Sequence, residues 1–108
     1  MADELPPGQT IEPIWVIEAA YGPDAAERRA PVRYEHIERL GRLRAEGTIL
    51  EVGGYLDMGG SLVLIRADSE EEALAIVRAD VYTRTGVWTG FRARQLGRVA
   101  RTDEVPRR

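Results

Sequence analysis

Six segments with strand or helix periodicity follow one another along the chain, and their order constrains the fold more than any other sequence feature. The strand segments are short, apolar and rich in β-branched or aromatic residues, which distinguishes them from helices. Strands are predicted at 14–20, 48–56, 61–67 and 87–96, and helices at 31–47 and 69–79. The order β-α-β-β-α-β is typical of the α+β, ferredoxin-like fold, a four-stranded antiparallel sheet with both helices on one face.

Local signals define the ends of these segments. Pro31 suits the first turn of a helix, and Gly47 suits its stop. Asp24 is expected to cap a short turn before Pro31. The pair Gly53-Gly54 predicts a bulge or a close backbone approach at the end of the second strand. The second and third strands should form a hairpin, and Ser69 and Glu72 have the spacing of a capping box.

The chain of 108 residues is predicted to form a single domain at 13–99, with a loose N-terminal arm at 1–12 and a loose C-terminal tail at 100–108. Because both helices occupy one sheet face, the other face needs cover, and we expect Trp15 or Trp88 to lie there. A second subunit is the simplest cover. The sequence therefore predicts a homodimer in which two sheets form a dimeric α+β barrel.

Composition excludes several classes of function. The fifteen basic residues are all arginine, are scattered among eighteen acids and leave a net charge of −3, which argues against nucleic-acid binding. No apolar run is long enough for a membrane helix and the N-terminus does not resemble a signal peptide, so a cytoplasmic location is expected. With one histidine and no cysteine, we predict no metal. The two double glycines lack the spacing of nucleotide-binding loops, and we predict no cofactor. The one local basic excess is expected to be a solvated strand edge: Arg92, Arg94, Arg98 and Arg101.

The only histidine lies in the first predicted helix. Arg33, His36, Leu40 and Leu43 are spaced by three, four and three residues and so share one helix face. The imidazole should therefore point inward. The charged residues between these positions, Arg39 among them, are expected on the solvated side.

Asp80 lies just beyond the second predicted helix. It is spaced from Ile76 and Val77 so that one more helical step places its carboxylate on the apolar face. An acid at a helix C-terminus is opposed by the helix dipole and is costly to bury unpaired, and such departures tend to mark functional sites. Asp80 and His36 could then meet between the helices, an arrangement that makes imidazole a general base.

Structural explanations exist for each of these residues. A lone histidine on an apolar face is more often a packed core residue, and Asp80 could simply cap the turn that follows it. Arg33 could bind an anion or only extend to the surface. Tyr82 and Trp88 fit a core or an interface better than a substrate contact.

The chain resembles the YciI-like, or YCII-related, proteins over 15–99. The matching pieces are Arg33-x-x-His36, Leu40, Gly47, the glycine pair, Asp68-Ser69-x-Glu71-x-Ala73, Asp80-x-Tyr82 and Gly86-Val87. The resemblance implies a ferredoxin-like fold that dimerises through its sheets, with His36 and Asp80 as a catalytic pair in a pocket. It also implies kinship with dehydrochlorinases of chlorinated hydroxyquinols and, in fold, with muconolactone isomerases. One departure is Val81, where the family usually has proline after the aspartate.

We therefore hypothesise a cofactor-free lyase or isomerase acting on a small enolisable ring compound, aromatic, quinonoid or lactone. His36 would be the base and Asp80 would orient it, with Arg33, Ser61 and Tyr82 as substrate-binding residues. The alternative is a non-catalytic dimeric module that binds a small molecule or a partner protein, in which His36 and Asp80 are a structural pair. A cofactor-independent oxygenase is a third hypothesis.

Overall fold

A four-stranded antiparallel sheet carries the helices on one face. The computed structural model describes residues 4–107, and the fold class agrees with the sequence prediction. The elements in chain order are β1 (Gln9–Tyr21), α1 (Ala25–Arg29), α2 (Arg33–Ala45), β2 (Ile49–Gly54), β3 (Ser61–Ile65), α3 (Glu70–Arg78), α4 (Val81–Arg84) and β4 (Trp88–Arg101). Short 3-10 turns precede α2 and follow β4.

The strands lie in the order β2-β3-β1-β4, so β1 is central and β4 forms one edge. Residues that alternate along β1 and β3 point toward the helices and form the core, among them Ile17, Val63 and Ile65. Leu40 from α2 and Val77 from α3 pack against them. The sheet thus supports both helices from below, and the space between α2 and the end of the β2–β3 hairpin remains accessible.

The local stop and start signals act mostly as predicted. Gly47 follows the C-cap of α2 with a φ of +83°, a conformation that glycine adopts without steric cost. The Ser69 hydroxyl accepts a hydrogen bond from the Glu72 backbone N–H, which caps α3. The expectation for Asp24 was wrong in detail, because its side chain makes no capping bond to α1. Its backbone carbonyl accepts from the Arg28 N–H instead.

The predicted loose arm and tail are partly wrong, because both chain ends extend the sheet. β1 already begins at Gln9, and β4 continues to Arg101. Glu12 is buried there and accepts hydrogen bonds from Arg66 at 2.6 Å and from Arg98 at 3.0 Å. Burial raises the pKa of Glu12, but the two guanidinium groups outweigh burial and hold the pKa below its usual value. The part of the predicted arm at 1–3 and the final residue of the tail lie outside the described residues.

The sheet face opposite the helices carries no tryptophan, which corrects the expectation for Trp15 and Trp88. Both pack on the helix side, Trp88 in the core itself and Trp15 against it. By strand alternation, the open face instead presents the half-buried aliphatic side chains of Val16, Leu62 and Leu64. The register places Glu18, Arg92 and Arg94 on this face too, so it has an aliphatic centre beside charged residues. The expectation of a covering partner therefore depends on the three aliphatic side chains and not on the tryptophans.

β4 is an edge strand, as the arginine pattern predicted. Arg92, Arg94 and Arg101 are exposed along it, whereas Arg98 is half-buried in its ion pair with Glu12. Among residues 4–107, no helix is both long and apolar enough to cross a membrane.

Candidate functional site

The site is centred on a contact between His36 on α2 and Asp80 between α3 and α4. The imidazole Nδ1 lies 2.6 Å from Asp80 Oδ1. His36 is 4% exposed and Asp80 is fully buried. The sequence predicted that the two side chains point inward and could meet, and the structure places them in direct contact.

Asp80 reaches this position by a route that the sequence did not indicate. α3 ends at Arg78, and Asp80 is the N-cap of the short helix α4, where its Oδ1 also accepts from the Tyr82 backbone N–H at 2.9 Å. The carboxylate therefore lies at a helix N-terminus, where the dipole favours it, not at a C-terminus. The same oxygen, Oδ1, therefore both caps α4 and contacts His36.

Val81 occupies the first position of α4. Proline suits this position because a first-turn N–H needs no intrahelical acceptor. Asp80 has a ψ of 147°, an extended conformation of the kind preferred before proline. Val81 therefore forms the turn that proline would form, and the departure from the family pattern leaves the carboxylate in place.

Arg39 is a site residue that the sequence analysis placed on the solvated side. Its Nη1 donates to Asp80 Oδ2 at 3.0 Å, and its Nη2 donates to the Ile76 carbonyl at 2.8 Å. It follows His36 by three residues, a spacing that puts both on adjacent positions of one helix side and that could have identified it. Arg39 thus links α2 to the end of α3.

The partners of Asp80 keep it ionised. Burial raises the pKa of the carboxyl, but hydrogen bonds from His36 and the Tyr82 backbone and the nearby Arg39 outweigh burial and hold the pKa below its usual value. A carboxylate accepts only, so Nδ1 of His36 is the donor in their bond. The other ring nitrogen, Nε2, makes no hydrogen bond to any residue in 4–107. It is left as a proton acceptor.

Two aromatic rings hold the imidazole. Tyr82 stacks on it with 3.5 Å between ring centroids and 8° between planes, and Trp88 meets it edge-on at 5.1 Å. Burial raises the pKa of the Tyr82 hydroxyl above its usual value. Both rings belong to the core, as expected, yet both also line the cavity described next.

A cavity of about 380 Å³ opens beside His36, between α2 and the β2–β3 hairpin. Its floor is aromatic, and its rim includes three arginines: Arg29, Arg33 and Arg44. No aspartate or glutamate of the described chain lines it. Arg29 and Arg33 form no ion pair with any carboxylate in 4–107, whereas Arg44 pairs weakly with Glu51. In a chain of net negative charge, this local excess of positive charge suits an anionic ligand.

Each residue predicted for the site either lines this cavity or is hydrogen-bonded to a residue that lines it. Arg33, His36, Ser61 and Tyr82 line it, and Asp80 lies behind His36. Tyr21 lines the cavity beside Ser61, to which it is hydrogen-bonded, and no sequence motif identified it as a site residue. A polar aromatic at the end of a strand was the only available signal. Among the described residues, no group of three His, Cys, Asp or Glu side chains is placed to hold a metal ion.

Comparison with known proteins agrees with this architecture. Residues 14–95 match the family described as the YCII-related domain. Protein YciI of Escherichia coli O6:H1 and of Shigella flexneri are each 34% identical over 85 residues, which cover 69% of this chain and 87% of theirs.

A solved structure is also similar in fold. It is the 5-chloro-2-hydroxyhydroquinone dehydrochlorinase of Burkholderia phenoliruptrix AC1100 in complex with 2,5-dihydroxybenzoquinone. It superposes with a TM-score of 0.65 at 23% identity and covers 75% of this chain and 90% of its own.

Proposed function

This chain belongs to the YCII-related family, and from that premise we propose that it is a cofactor-free lyase or isomerase. In this proposal His36 removes a proton from a small, anionic, enolisable ring compound and, in an isomerase, returns it to another atom of that compound. The observation that carries it is the bond of 2.6 Å between His36 Nδ1 and Asp80, which leaves Nε2 as the free basic nitrogen beside a cavity.

The division of roles follows from the hydrogen bonds. Asp80 accepts from Nδ1 and so fixes the tautomer that has its lone pair on Nε2, and it also stabilises the imidazolium that forms when Nε2 takes a proton. Arg39 holds the second carboxylate oxygen and keeps Asp80 in place. Tyr82 prevents the ring from turning, because it stacks flat on the imidazole.

The reaction needs only this base and a suitable substrate. Nε2 removes a proton, and the electron pair left behind forms a new π bond in the ring. In a lyase, a leaving group such as chloride departs with the electrons of its own bond, so hydrogen chloride is lost overall. In an isomerase, the imidazolium returns the proton to another atom of the same molecule.

The cavity favours an oxygen-rich anion as the substrate. Arg29 and Arg33 are cations without carboxylate partners in the described chain, and a guanidinium binds phenolate or carboxylate oxygens well. The aromatic side chains of Tyr82 and Trp88 suit a flat ring. The quinone bound by the dehydrochlorinase of similar fold has both properties, and we take 2,5-dihydroxybenzoquinone, called the quinone probe below, as a representative ligand.

The test is chloride release from 5-chloro-2-hydroxyhydroquinone, with proton exchange in small unsaturated lactones as the isomerase assay. His36→Gln should reduce turnover by about 10²- to 10⁴-fold, the usual contribution of a positioned base. Its melting temperature should stay close to that of the wild type, because Gln keeps part of the volume and one donor. Glu38→Gln, an exposed change on the same helix, is the matched control and should alter neither value.

The burial and stacking of His36 favour a second candidate, a module that binds a small molecule without converting it. In that case the wild type binds the quinone probe but neither releases chloride nor exchanges protons. His36→Gln would then cost about 1–3 kcal/mol of stability through an unsatisfied buried amide. A large stability loss with turnover retained in the folded fraction would reject His36 as the base.

A further inference from the structure

A chain of hydrogen bonds runs along the cavity wall from Trp88, the residue that meets His36 edge-on, to Tyr21. The indole Nε1 of Trp88 donates to Ser61 Oγ at 3.2 Å, and the Ser61 hydroxyl donates to the Tyr21 hydroxyl oxygen at 3.0 Å. An indole N–H can only donate, so Ser61 Oγ is the acceptor in the first bond, and the Ser61 proton is available for the bond to Tyr21. Each bond polarises the next, which makes the last hydroxyl a stronger donor than an isolated one.

The proton of Tyr21 is the free end of this chain. No acceptor among residues 4–107 takes it, and Tyr21 lines the same cavity as His36. Trp88 and Ser61 are 2% and 5% exposed, so the supporting groups are buried while Tyr21 itself is only partly covered. The free donor therefore faces the space that a ligand would fill.

Two backbone features allow the Tyr21 hydroxyl to occupy this position. The pairing of β1 with β4 is irregular between Ala20 and Tyr21, and as a result Trp88 lies opposite Tyr21 where regular register would place Thr89. In addition, a Cβ at Gly54 would lie 2.6 Å from the Tyr21 hydroxyl oxygen. The second glycine of the pair noted in the sequence thus makes room for this hydroxyl.

We propose that Tyr21 is a catalytic residue whose hydroxyl donates a hydrogen bond to the substrate oxygen that becomes negative when His36 removes a proton. Tyr21 forms no covalent bond and keeps its own proton. When the bond to the departing hydrogen breaks, its electron pair is delocalised onto the oxygen attached to the substrate ring. A hydrogen-bond donor positioned at that oxygen stabilises the negative charge. Ser61 and Trp88 are positioning residues that act through Tyr21. The inference rests on the proposed function and adds a second catalytic residue to it.

The first experiment measures binding of the quinone probe by calorimetry. Tyr21→Phe removes only the hydroxyl and should weaken binding by about 10-fold or more, as expected for a lost bond to a charged oxygen. Ser61→Ala should weaken it less, since Tyr21 remains. The double variant should bind no more weakly than Tyr21→Phe alone, because Ser61 acts through the hydroxyl that is already absent. Gly90→Ala, whose Cβ would meet open space, is the control for a strand substitution.

Several outcomes would overturn the inference. If Tyr21→Phe binds the probe as the wild type does, Tyr21 does not contact the ligand. If the losses of the two single variants multiply in the double variant, Ser61 contacts the ligand by itself and the relay is wrong. If the wild type does not bind the probe, the ligand class fails and this inference fails with it.

A kinetic measurement separates this inference from the proposed function. With wild-type turnover present, Tyr21→Phe should lower kcat by about 10²- to 10³-fold, as loss of an oxyanion donor does, and change KM less. Normal turnover in Tyr21→Phe would reject Tyr21 and leave His36 as the base. If the wild type binds the probe but turns nothing over, the proposed function fails, and the binding result alone then decides whether Tyr21 contacts the ligand. Melting temperatures of all variants confirm that each is folded.

Discussion

His36 and Arg39, three residues apart on α2, bind opposite oxygens of one buried carboxylate. The imidazole contacts Asp80 Oδ1 at 2.6 Å, and the guanidinium contacts Oδ2 at 3.0 Å. With both oxygens engaged, the carboxylate cannot rotate away from either partner without losing a charge-assisted bond. The orientation of the candidate base is thus coupled to an arginine that lies outside the cavity.

Asp80 should make the free energy of unfolding depend on pH in the acidic range. Its pKa is lowered in the folded state, so the unfolded chain binds more protons in the interval below the usual value of 3.8. Its contribution is complete above that interval and is lost as pH falls through it. Asp80→Asn should lower the free energy of unfolding by about 2–3 kcal/mol at neutral pH, and the deficit should shrink as the pH falls below 3.8.

Urea unfolding across this pH range measures the effect. Asp103→Asn is the control, because Asp103 is 77% exposed and its pair with Arg101 is a surface salt bridge of little energetic value. A deficit for Asp80→Asn that stays constant with pH would show that Asp80 contributes through shape and not through its charge.

Arg39 should matter to stability far more than its neighbours on α2. Arg39→Met keeps an unbranched side chain but removes the donors to Asp80 and to the Ile76 carbonyl. We expect a loss of about 1–3 kcal/mol, since a buried charge loses a partner. Arg42→Met, an exposed change on the same helix, should stay within about 0.5 kcal/mol of the wild type. Equal effects of the two substitutions in urea titrations would refute a special role for Arg39.

Arg33 should contribute charge to ligand binding. Arg33→Gln is expected to weaken binding of the quinone probe by about 3- to 10-fold at low salt, and the difference should diminish in about 1 M salt because exposed charges are screened. Arg92→Gln changes the net charge equally but lies on β4 outside the cavity, so it should leave binding unaltered. If both variants weaken binding alike, the effect arises from total charge, not from the cavity rim.

The open sheet face should be covered by a second copy of the chain. Val16, Leu62 and Leu64 form an apolar patch there, and an exposed apolar patch is unfavourable in water. Light scattering should give a dimer, twice the chain mass of 12.0 kDa, at micromolar concentration. Leu64→Arg should shift the equilibrium toward monomer, because a dimer would bury the charge. A wild-type protein that runs as a monomer at this concentration would contradict the prediction.

The sequence predicted those features that depend on neighbouring residues. Periodicity predicted the position of α2 and the inward orientation of His36, and the short apolar run predicted the position of β3. The glycine at 47 and the serine at 69 marked helix ends because capping uses backbone groups only a few residues away. The order of elements then sufficed for the fold class.

The features that the sequence did not predict depend on distant residues or on very short elements. β1 extends beyond its predicted start because Glu12 is bound by arginines 54 and 86 positions away. α4 has only four residues, too few for periodicity, so Asp80 was assigned to the wrong helix end. The irregular register that pairs Tyr21 with Trp88 also leaves no pattern in either strand alone. These contacts are set by tertiary structure, which local propensity does not encode.

Trp88 gives the protein an internal optical reporter. Its indole meets the edge of His36, Tyr82 and Phe91 and donates to Ser61 at the cavity wall, so a ligand that enters alters the surroundings of a single chromophore. The other tryptophan, Trp15, does not line the cavity. In a Trp15→Phe protein, tryptophan fluorescence would therefore come from Trp88 at the site alone. Its fluorescence would follow ligand entry in real time, without any label.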